Sequence, residues 1–258
     1  MKPTKTVAIT GGGEGIGAAL TKLYASQGYH VAIAGRNVDK LKIVQSACTK
    51  LGGLVSYTDL DVQDAKRVSE WLHGLDNDSD LQIVIANAGI TGGIKPEDQL
   101  EAIENTQSIL CINLLGSINT LQPAAEIFLK KGTGKIAAIS SLASYVGFSG
   151  SPGYCSSKAG LRIYCESLSR LLQNSEISVT TIFPGYVKTS MADRVNASKP
   201  LQISATEAAQ KIAKAIEKGK PEFGFPCSLW VGVRFLSILP AFLKHKLANF
   251  FDYSVNSQ

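Results

Sequence analysis

The chain has 258 residues, of which 45% are hydrophobic and 18% are charged, and its formal net charge is +5. This composition predicts a folded globular protein rather than a disordered one, and the scattered basic residues argue against nucleic-acid binding, which usually needs a dense basic face. The five cysteines are odd in number and lack metal-ligand spacing, so we expect neither a disulfide framework nor a metal site, and a cytoplasmic location is favoured.

The chain begins with a short apolar strand over residues 7–9, too short for the apolar region of a secretory signal, so no targeting segment is predicted. A glycine-rich turn and a helix over residues 18–26 follow. Glycines let a backbone approach a pyrophosphate, and the N–H groups at a helix start attract its charge. A tight turn without a ligand is the alternative. The turn comprises Thr10, Gly11, Gly12, Gly13, Glu14, Gly15, Ile16 and Gly17.

A second strand, over residues 31–34, ends at Gly35 and Arg36. A dinucleotide site often has an acidic residue here to hold the adenosine ribose, and Gly35 leaves that place empty. The planar fork of Arg36 suits a 2′-phosphate, so NADP(H) is favoured over NAD(H). Glu14 opposes this prediction because its carboxylate would repel the phosphate, and a solvated surface arginine is the alternative for Arg36.

The alternation continues with a helix over residues 38–50, a strand over 54–58 and another strand over 81–85. Asp61 and Val62 follow the third strand, where Asp61 would bind the adenine amine or cap a helix. The small residues Asn87, Ala88 and Gly89 follow the fourth strand and would let a cofactor lie against the backbone.

A helical region over residues 98–129 contains Asn113 in an otherwise apolar stretch. A buried amide needs hydrogen-bond partners, and asparagine and glycine inside a helix often mark a local break. A purely structural asparagine, bonded to the backbone, is an equal alternative.

Ser141 follows a fifth strand over residues 135–140, at the edge where open parallel sheets bind ligands. A helix over residues 152–172 then places Tyr154 and Lys158 one turn apart, on one face. A free tyrosine has a pKa of about 10, and the Lys158 cation would lower it, which makes the pair suited to proton transfer. Such a pair is also common on solvated helices.

The remaining segments predict a substrate pocket. Tyr145, Val146 and Phe148 would line it or pack in the core. After a strand over residues 179–183, a polar loop that extends to residue 200 would act as a lid, with Tyr186 and Met191 facing substrate. A helix over 205–218 and a strand over 222–225 follow. We predict one α/β domain over residues 1–258, a doubly wound parallel sheet of the Rossmann type with helices on both faces.

Several motifs in this order resemble the short-chain dehydrogenase/reductase family over residues 1–220. The resemblance implies a homodimer or homotetramer, and hydride transfer between a nicotinamide and a carbonyl or alcohol carbon. Ser141 would bind the substrate oxygen, Tyr154 would pass the proton, Lys158 would lower its pKa and hold the nicotinamide ribose, and Asn113 would keep a water in the relay. The motifs are Thr10-Gly11 with Gly15 and Gly17, Asn87-Ala88-Gly89, Asn113, Ser141, Tyr154 with Lys158, and Pro184-Gly185.

The resemblance also implies that Pro184, Gly185, Val187 and Thr189 contact the cofactor, with Thr189 on the nicotinamide carboxamide. Two positions depart from the family pattern. Ala86 stands where the family usually has a first asparagine, and Glu14 stands where many NADP-preferring members have a basic or small residue. The cofactor expectation is therefore NADP(H), with NAD(H) as the alternative.

The stretch over residues 225–258 is a hydrophobic C-terminal helical extension, too interrupted to span a bilayer. Beyond Pro240 its pattern is amphipathic and basic, as in helices that lie on a membrane surface, although we favour helices that cap the substrate cleft or the subunit interface. The preferred function is an NADP(H)-dependent reductase of a largely apolar substrate. The alternatives are a reductase of a lipid-like ketone at a membrane surface and a non-catalytic NADP-binding regulator.

Overall fold

The computed structural model describes residues 4–95, 97–196, 198–248 and 254–255, with side chains through residue 244. All seven predicted strands of the main sheet are present, with ends that differ by a few residues. The main sheet has the order β10-β6-β5-β4-β1-β2-β3, and every pairing in it is parallel. In chain order the strands are β1 Lys5–Thr10, β2 His30–Gly35, β3 Leu54–Asp59, β4 Asp80–Ala86, β5 Thr133–Ile139, β6 Glu176–Pro184, β7 Val187–Lys188, β8 Val195–Asn196, β9 Ile203–Ser204, β10 Glu222–Phe225 and β11 Ser254–Val255.

Helices alternate with these strands, as predicted, and α3 is an addition, an amphipathic helix that buries Val68 and Leu72. The predicted helical region 98–129 is divided by a π-helical segment, Leu110–Leu115, which contains Asn113 and confirms the expected local break. In chain order the helices are α1 Gly15–Ser26, α2 Val38–Thr49, α3 Ala65–Asp78, α4 Ile103–Ile109, α5 Gly116–Lys131, α6 Pro152–Leu171, α7 Ser190–Asp193, α8 Ala205–Glu217, α9 Cys227–Ser237 and α10 Ala241–Ala248.

Two apolar layers cover the sheet, one on each face. Helices α1, α2 and α8 enclose the first, around residues such as Leu20 and Ile212. Helices α3, α5 and α6 enclose the second, around Leu121, Phe128 and Leu161. Because both faces are buried, the strands are apolar almost throughout, which is typical of a doubly wound parallel sheet.

The strand order positions the functional edge. From β1 the chain proceeds outward to β2 and β3, and it then returns to place β4 on the other side of β1. Loops leaving β1 and β4 therefore diverge and open a crevice at their carboxyl ends, where such sheets bind ligands. Among the described residues no helix is long and apolar enough to cross a membrane.

Candidate active site

The glycine turn after β1 is fastened to the loop after β4. Thr10 Oγ1 accepts hydrogen bonds from the Asn87 and Ala88 backbone N–H groups at 3.1 and 3.3 Å, and Asn87 Nδ2 donates to the Thr10 and Gly11 carbonyls at 3.1 and 3.0 Å. A Cβ on Gly11, which has φ +68°, would lie 2.8 Å from Ala88 Cα, and one on Gly17 would overlap the Gly11 carbonyl. Glycine at these two positions therefore allows the turn to pack closely against the loop after β4 and against its own backbone.

A cavity of about 1160 Å³ extends from this turn along the sheet edge to the C-terminal helices. It brings together most of the predicted site residues. Those that line it are Gly11, Gly13, Glu14, Gly15, Ile16, Arg36, Asp61, Val62, Asn87, Ala88, Gly89, Ser141, Tyr154, Lys158, Pro184, Gly185, Tyr186, Val187, Thr189 and Met191. Thr10, Gly17, Asn113 and Tyr145 are not among the lining residues, and the first two support the turn from behind.

Glu14 precedes α1 without capping it. Its carboxylate accepts hydrogen bonds from Lys40 Nζ at 2.6 Å and Ser190 Oγ at 2.9 Å. The Lys40 hydrogen bond lowers the pKa of Glu14, so the carboxylate stays charged and is neutralised by the lysine. Sequence reasoning missed Lys40, although its place one helical turn beyond Arg36, in the first turn of α2, was the available signal.

Arg36 lies at the rim of the same end of the cavity. Its side chain is exposed, and its guanidinium Nη1 lies 3.8 Å from Asp61 Oδ2. Asp61 does not cap α3, because Asp64 does so by accepting from the Arg67 N–H. Two cations and two carboxylates thus meet at this end, as Arg36 with Asp61 and Lys40 with Glu14.

Ser141, Tyr154 and Lys158 meet at the carboxyl end of β5. Ser141 Oγ accepts from the Ala143 N–H at 3.1 Å, and Ser141 lies near enough to the Tyr154 phenol to lower its pKa. Lys158 is buried, its Nζ donates to the Ile139 carbonyl at 2.8 Å, and it lies 5.8 Å from the centre of the Tyr154 ring. The start of helix α6 therefore presents the Tyr154 phenol and the Lys158 ammonium to the end of β5, where Ser141 adds a second hydroxyl.

Burial sets the ionisation of this pair. It raises the pKa of Tyr154 to about 12, which the influence of Ser141 only partly offsets, and it lowers the pKa of Lys158 to about 8. The structure therefore differs from the expectation that the Lys158 cation lowers the pKa of Tyr154, because desolvation dominates. Tyr154 is protonated at neutral pH, in the state that can give up a proton.

Asn113 is fully buried, and its side chain forms hydrogen bonds with other groups of the protein. Its Oδ1 accepts from the Ile90 N–H at 2.8 Å, and its Nδ2 donates to the Ile90 carbonyl at 2.9 Å and to Ser157 Oγ at 3.2 Å. These contacts match the structural alternative. A Cβ on Gly89 would lie 3.1 Å from Asn113 Oδ1 and 3.6 Å from Lys158 Nζ, so glycine permits the β4 loop to reach the catalytic cluster.

Tyr145, expected in the substrate pocket, instead packs beneath α9. Its hydroxyl accepts from Trp230 Nε1 at 3.3 Å, and the Arg162 and Arg234 guanidinium groups lie 5.0 and 5.8 Å from its ring centre. A 3₁₀ turn, Leu142–Ser144, explains the difference because it puts Leu142 in the cavity wall and Tyr145 behind it.

The C-terminal helix α9 forms much of the remaining wall, together with Phe148, Tyr186 and Met191. This agrees with the favoured interpretation of a cap over the cleft, although the individual lining positions did not emerge from the sequence. The sequence signal for these lining positions was the apolar character of the segment as a whole. The lining residues of α9 and of the turn after it are Ser228, Leu229, Gly232, Val233, Phe235, Leu236 and Leu239.

A family model described as short chain dehydrogenase matches residues 5–200. An uncharacterised oxidoreductase of Myxococcus xanthus is 31% identical over 237 residues, covering 92% of this chain and 93% of the relative. A 3-oxoacyl-[acyl-carrier-protein] reductase of Rickettsia conorii is 35% identical over 200 residues, covering 74% and 76%.

Two solved structures extend the likeness of fold. An actinorhodin polyketide ketoreductase with NADPH superposes with a TM-score of 0.79 at 21% identity, covering 89% of this chain and 99% of the other. A short chain dehydrogenase/reductase from Burkholderia phymatum in complex with NAD has a TM-score of 0.81 at 19% identity, covering 90% and 92%.

Proposed function

The chain belongs to the short chain dehydrogenase family, and from that premise we propose that it is an NADP(H)-dependent reductase of a carbonyl group on a largely apolar substrate. The observation that carries the proposal is the convergence of Ser141, Tyr154 and the buried Lys158 on one cavity. These groups border the same cavity as the glycine turn, so a cofactor and a substrate can meet there.

The residues of the cavity fit a dinucleotide. Gly11, Gly13 and Gly15 line it with backbone, and α1 begins at its wall with no side-chain cap on its first N–H groups. An uncapped helix start beside glycines is a favourable place for a pyrophosphate. Thr189 lies next to Gly15, where a Cβ on the glycine would approach Thr189 Cγ2 to 3.1 Å, so the two sides of the groove are close.

The preference for NADP(H) rests on Arg36 and Lys40. Gly35 supplies no carboxylate at the end of β2, and Arg36 presents an exposed planar donor fork to the cavity. Lys40 neutralises Glu14, which removes much of the repulsion that the carboxylate would exert on a 2′-phosphate. Among the structural neighbours, one was solved with NADPH and another with NAD, so these structures favour neither cofactor. The proposed preference therefore rests on this chain's own residues.

The catalytic cluster is suited to protonating a carbonyl oxygen. Bound NADPH would supply the hydride to the carbonyl carbon. Tyr154 donates its phenolic proton to the oxygen as the negative charge develops, while Ser141 holds that oxygen by a hydrogen bond. Lys158 lies close enough to stabilise the phenolate that remains, because opposite charges attract strongly in a buried site.

The apolar side chains of the cavity wall would select for an apolar body. Leu142, Phe148, Met191, Leu229 and Leu236 line the cavity. Apolar walls with a few polar groups are typical of sites that orient a ligand by one functional group. The relative from Rickettsia conorii is named as a reductase of 3-oxoacyl chains, which is consistent with an extended apolar substrate.

Replacement of Tyr154 by phenylalanine tests the reaction. With NADPH and a panel of ketones bearing apolar chains, we expect Tyr154→Phe to lower kcat by about a hundredfold to ten-thousandfold, the usual contribution of general acid catalysis. Binding of NADPH should be retained. Tyr164→Phe is the matched control, because Tyr164 lies on the same helix but hydrogen-bonds Gln122. A wild-type protein that binds NADPH but turns over none of the ketones, in either direction, would favour the regulator instead.

A cofactor titration tests the NADP(H) preference. Tight binding of NADPH and weak binding of NADH is the expected result, and Arg36→Ala should weaken NADPH binding by about tenfold while leaving NADH unchanged, because a charge-assisted contact is removed. Arg170→Ala, at an exposed arginine on the last turn of α6, is the control. A wild-type preference for NADH would contradict the assignment.

A further inference from the structure

Helices α9 and α10 expose a group of apolar side chains that the cavity does not account for. We define this C-terminal apolar surface as Val231, Phe235, Ile238, Phe242 and Leu243, all exposed. Ile238 and Phe242 are 76% and 71% accessible. Large apolar side chains that cluster at a surface usually mark a contact with another molecule or a membrane.

This surface is continuous with the cavity. Phe235 belongs to both, since it lines the cavity and is 62% exposed. Its neighbours Leu236 and Leu239 line the cavity from the same end of α9 and pack on Val146. An apolar molecule in contact with the outer surface would therefore meet the rim of the cavity directly.

The surface is presented by a firmly held helix. Trp230 donates to the Tyr145 hydroxyl and covers Gly224, where a Cβ would overlap the indole ring. Arg234 donates to Glu222 Oε2 at 2.5 Å and stacks on Trp230. These contacts fix α9 from its inner side through Trp230 and Arg234.

Apart from the ion pair of Arg234 with Glu222, the charge of this region is of one sign. Residues 223–248 contain no aspartate or glutamate, and Lys244 follows the exposed apolar side chains directly. In a two-fold contact with a second copy the same patch would face itself, so the Lys244 charges of the two copies would repel one another. An anionic lipid surface instead attracts basic residues and accepts apolar side chains below its headgroups.

We propose that α9 and α10 dock the protein on an anionic membrane surface, with the C-terminal apolar surface inserted among the lipids and the mouth of the cavity beside it. Docking would let an amphiphilic molecule pass from the lipid into the cavity without crossing water. The proposal concerns binding only, so its test requires no turnover and can fail independently of the reductase assignment.

Vesicle sedimentation of the full chain tests the proposal. The probes are phosphatidylcholine vesicles with and without phosphatidylserine. We expect binding to the anionic vesicles that decreases with added salt, and at least about a tenfold loss of binding in Ile238→Ser/Phe242→Ser, because two inserted apolar side chains are removed. Lys244→Glu should weaken binding to the anionic vesicles alone.

A matched double variant distinguishes binding through this surface from nonspecific adsorption of exposed apolar side chains to vesicles. Ile43→Ser/Leu51→Ser replaces two apolar side chains in α2 and the turn after it that are 68% and 90% exposed, and it should bind vesicles like the wild type. Wild-type protein that does not sediment with anionic vesicles would overturn the proposal, as would equal binding by the two double variants. Sedimentation velocity adds the remaining outcome: a dimer that dissociates only in Ile238→Ser/Phe242→Ser, without vesicle binding, would assign the surface to a second copy.

Discussion

The catalytic edge of the sheet and the C-terminal rim border one cavity, but they are built differently. At the edge, Asn87, Asn113 and Lys158 are each held by hydrogen bonds to backbone groups of another element. At the rim, a small cluster around Val146 and Leu236 supports helices whose outer faces are exposed and apolar. In the proposed reaction, the chemistry would depend on positions fixed by buried polar contacts, whereas substrate selection would depend on a thin apolar layer.

The same substitution in the two regions should measure this difference directly. Leu121 is fully buried between α5 and the sheet, and Leu121→Ala should lower the free energy of unfolding by about 3–5 kcal/mol. Leu236→Ala should cost only about 1–2 kcal/mol, because the space it leaves joins an existing cavity, and it should raise KM for apolar ketones. Urea unfolding gives the two losses of stability, and steady-state kinetics gives KM. Equal losses of stability in Leu121→Ala and Leu236→Ala would contradict the difference between the two regions.

The stability of the protein should depend on the hydrogen bonds of the catalytic edge, which the loss of one side-chain amide would test. Asn113→Leu leaves the N–H and C=O of Ile90 without their side-chain partner, so we expect a loss of about 2–4 kcal/mol in the free energy of unfolding. Asn119→Leu is the control, since Asn119 makes one hydrogen bond to the Val62 carbonyl. If Asn113→Leu were no more destabilising than the control, the catalytic edge would not be held as we describe.

The reductive rate should depend on pH through Lys158. The pKa of Lys158 is lowered to about 8, so the ammonium is present below pH 8 and is lost as the pH rises through that value. Without it the phenolate left by Tyr154 is no longer stabilised, and kcat/KM for reduction should then fall by up to about tenfold per pH unit. Tyr154, with a pKa of about 12, remains protonated over this range. A profile that is flat to pH 10, with the hydride step shown to be rate-limiting by a deuterated cofactor, would contradict this role.

The smallest expected effect concerns Glu14. Glu14→Gln removes the charge that Lys40 neutralises, and since both side chains are about half exposed the change in stability should be below about 0.5 kcal/mol. The freed lysine should tighten NADPH binding by a fewfold and leave NADH unchanged. Glu207→Gln serves as control, because Glu207 forms a similarly exposed pair with Lys211 on α8. Weaker NADPH binding would show that Glu14 organises the site rather than opposing the phosphate.

Much of the site could be predicted because its signals are local. Glycine at positions 11, 15 and 17 follows from the turn itself, and the four-residue spacing places Tyr154 and Lys158 on one face of α6. Lys40 and the cavity positions of α9 could not be predicted in this way, since their role depends on elements distant in sequence. The homo-oligomeric state remains a prediction.

The sequence by itself determined the seven strands of the main sheet, most of the helices between them and the residue types at the carboxyl ends of the strands, because apolar periodicity and glycine act over a few neighbours. Only the tertiary structure decided that Tyr145 supports α9 instead of lining the pocket and that Asn113 is bonded to Ile90. It also decided that the pKa of Tyr154 is raised by burial, where the sequence predicts that a nearby cation lowers it. Desolvation and long-range hydrogen bonds exist only once distant segments are packed together, and no local pattern encodes their balance.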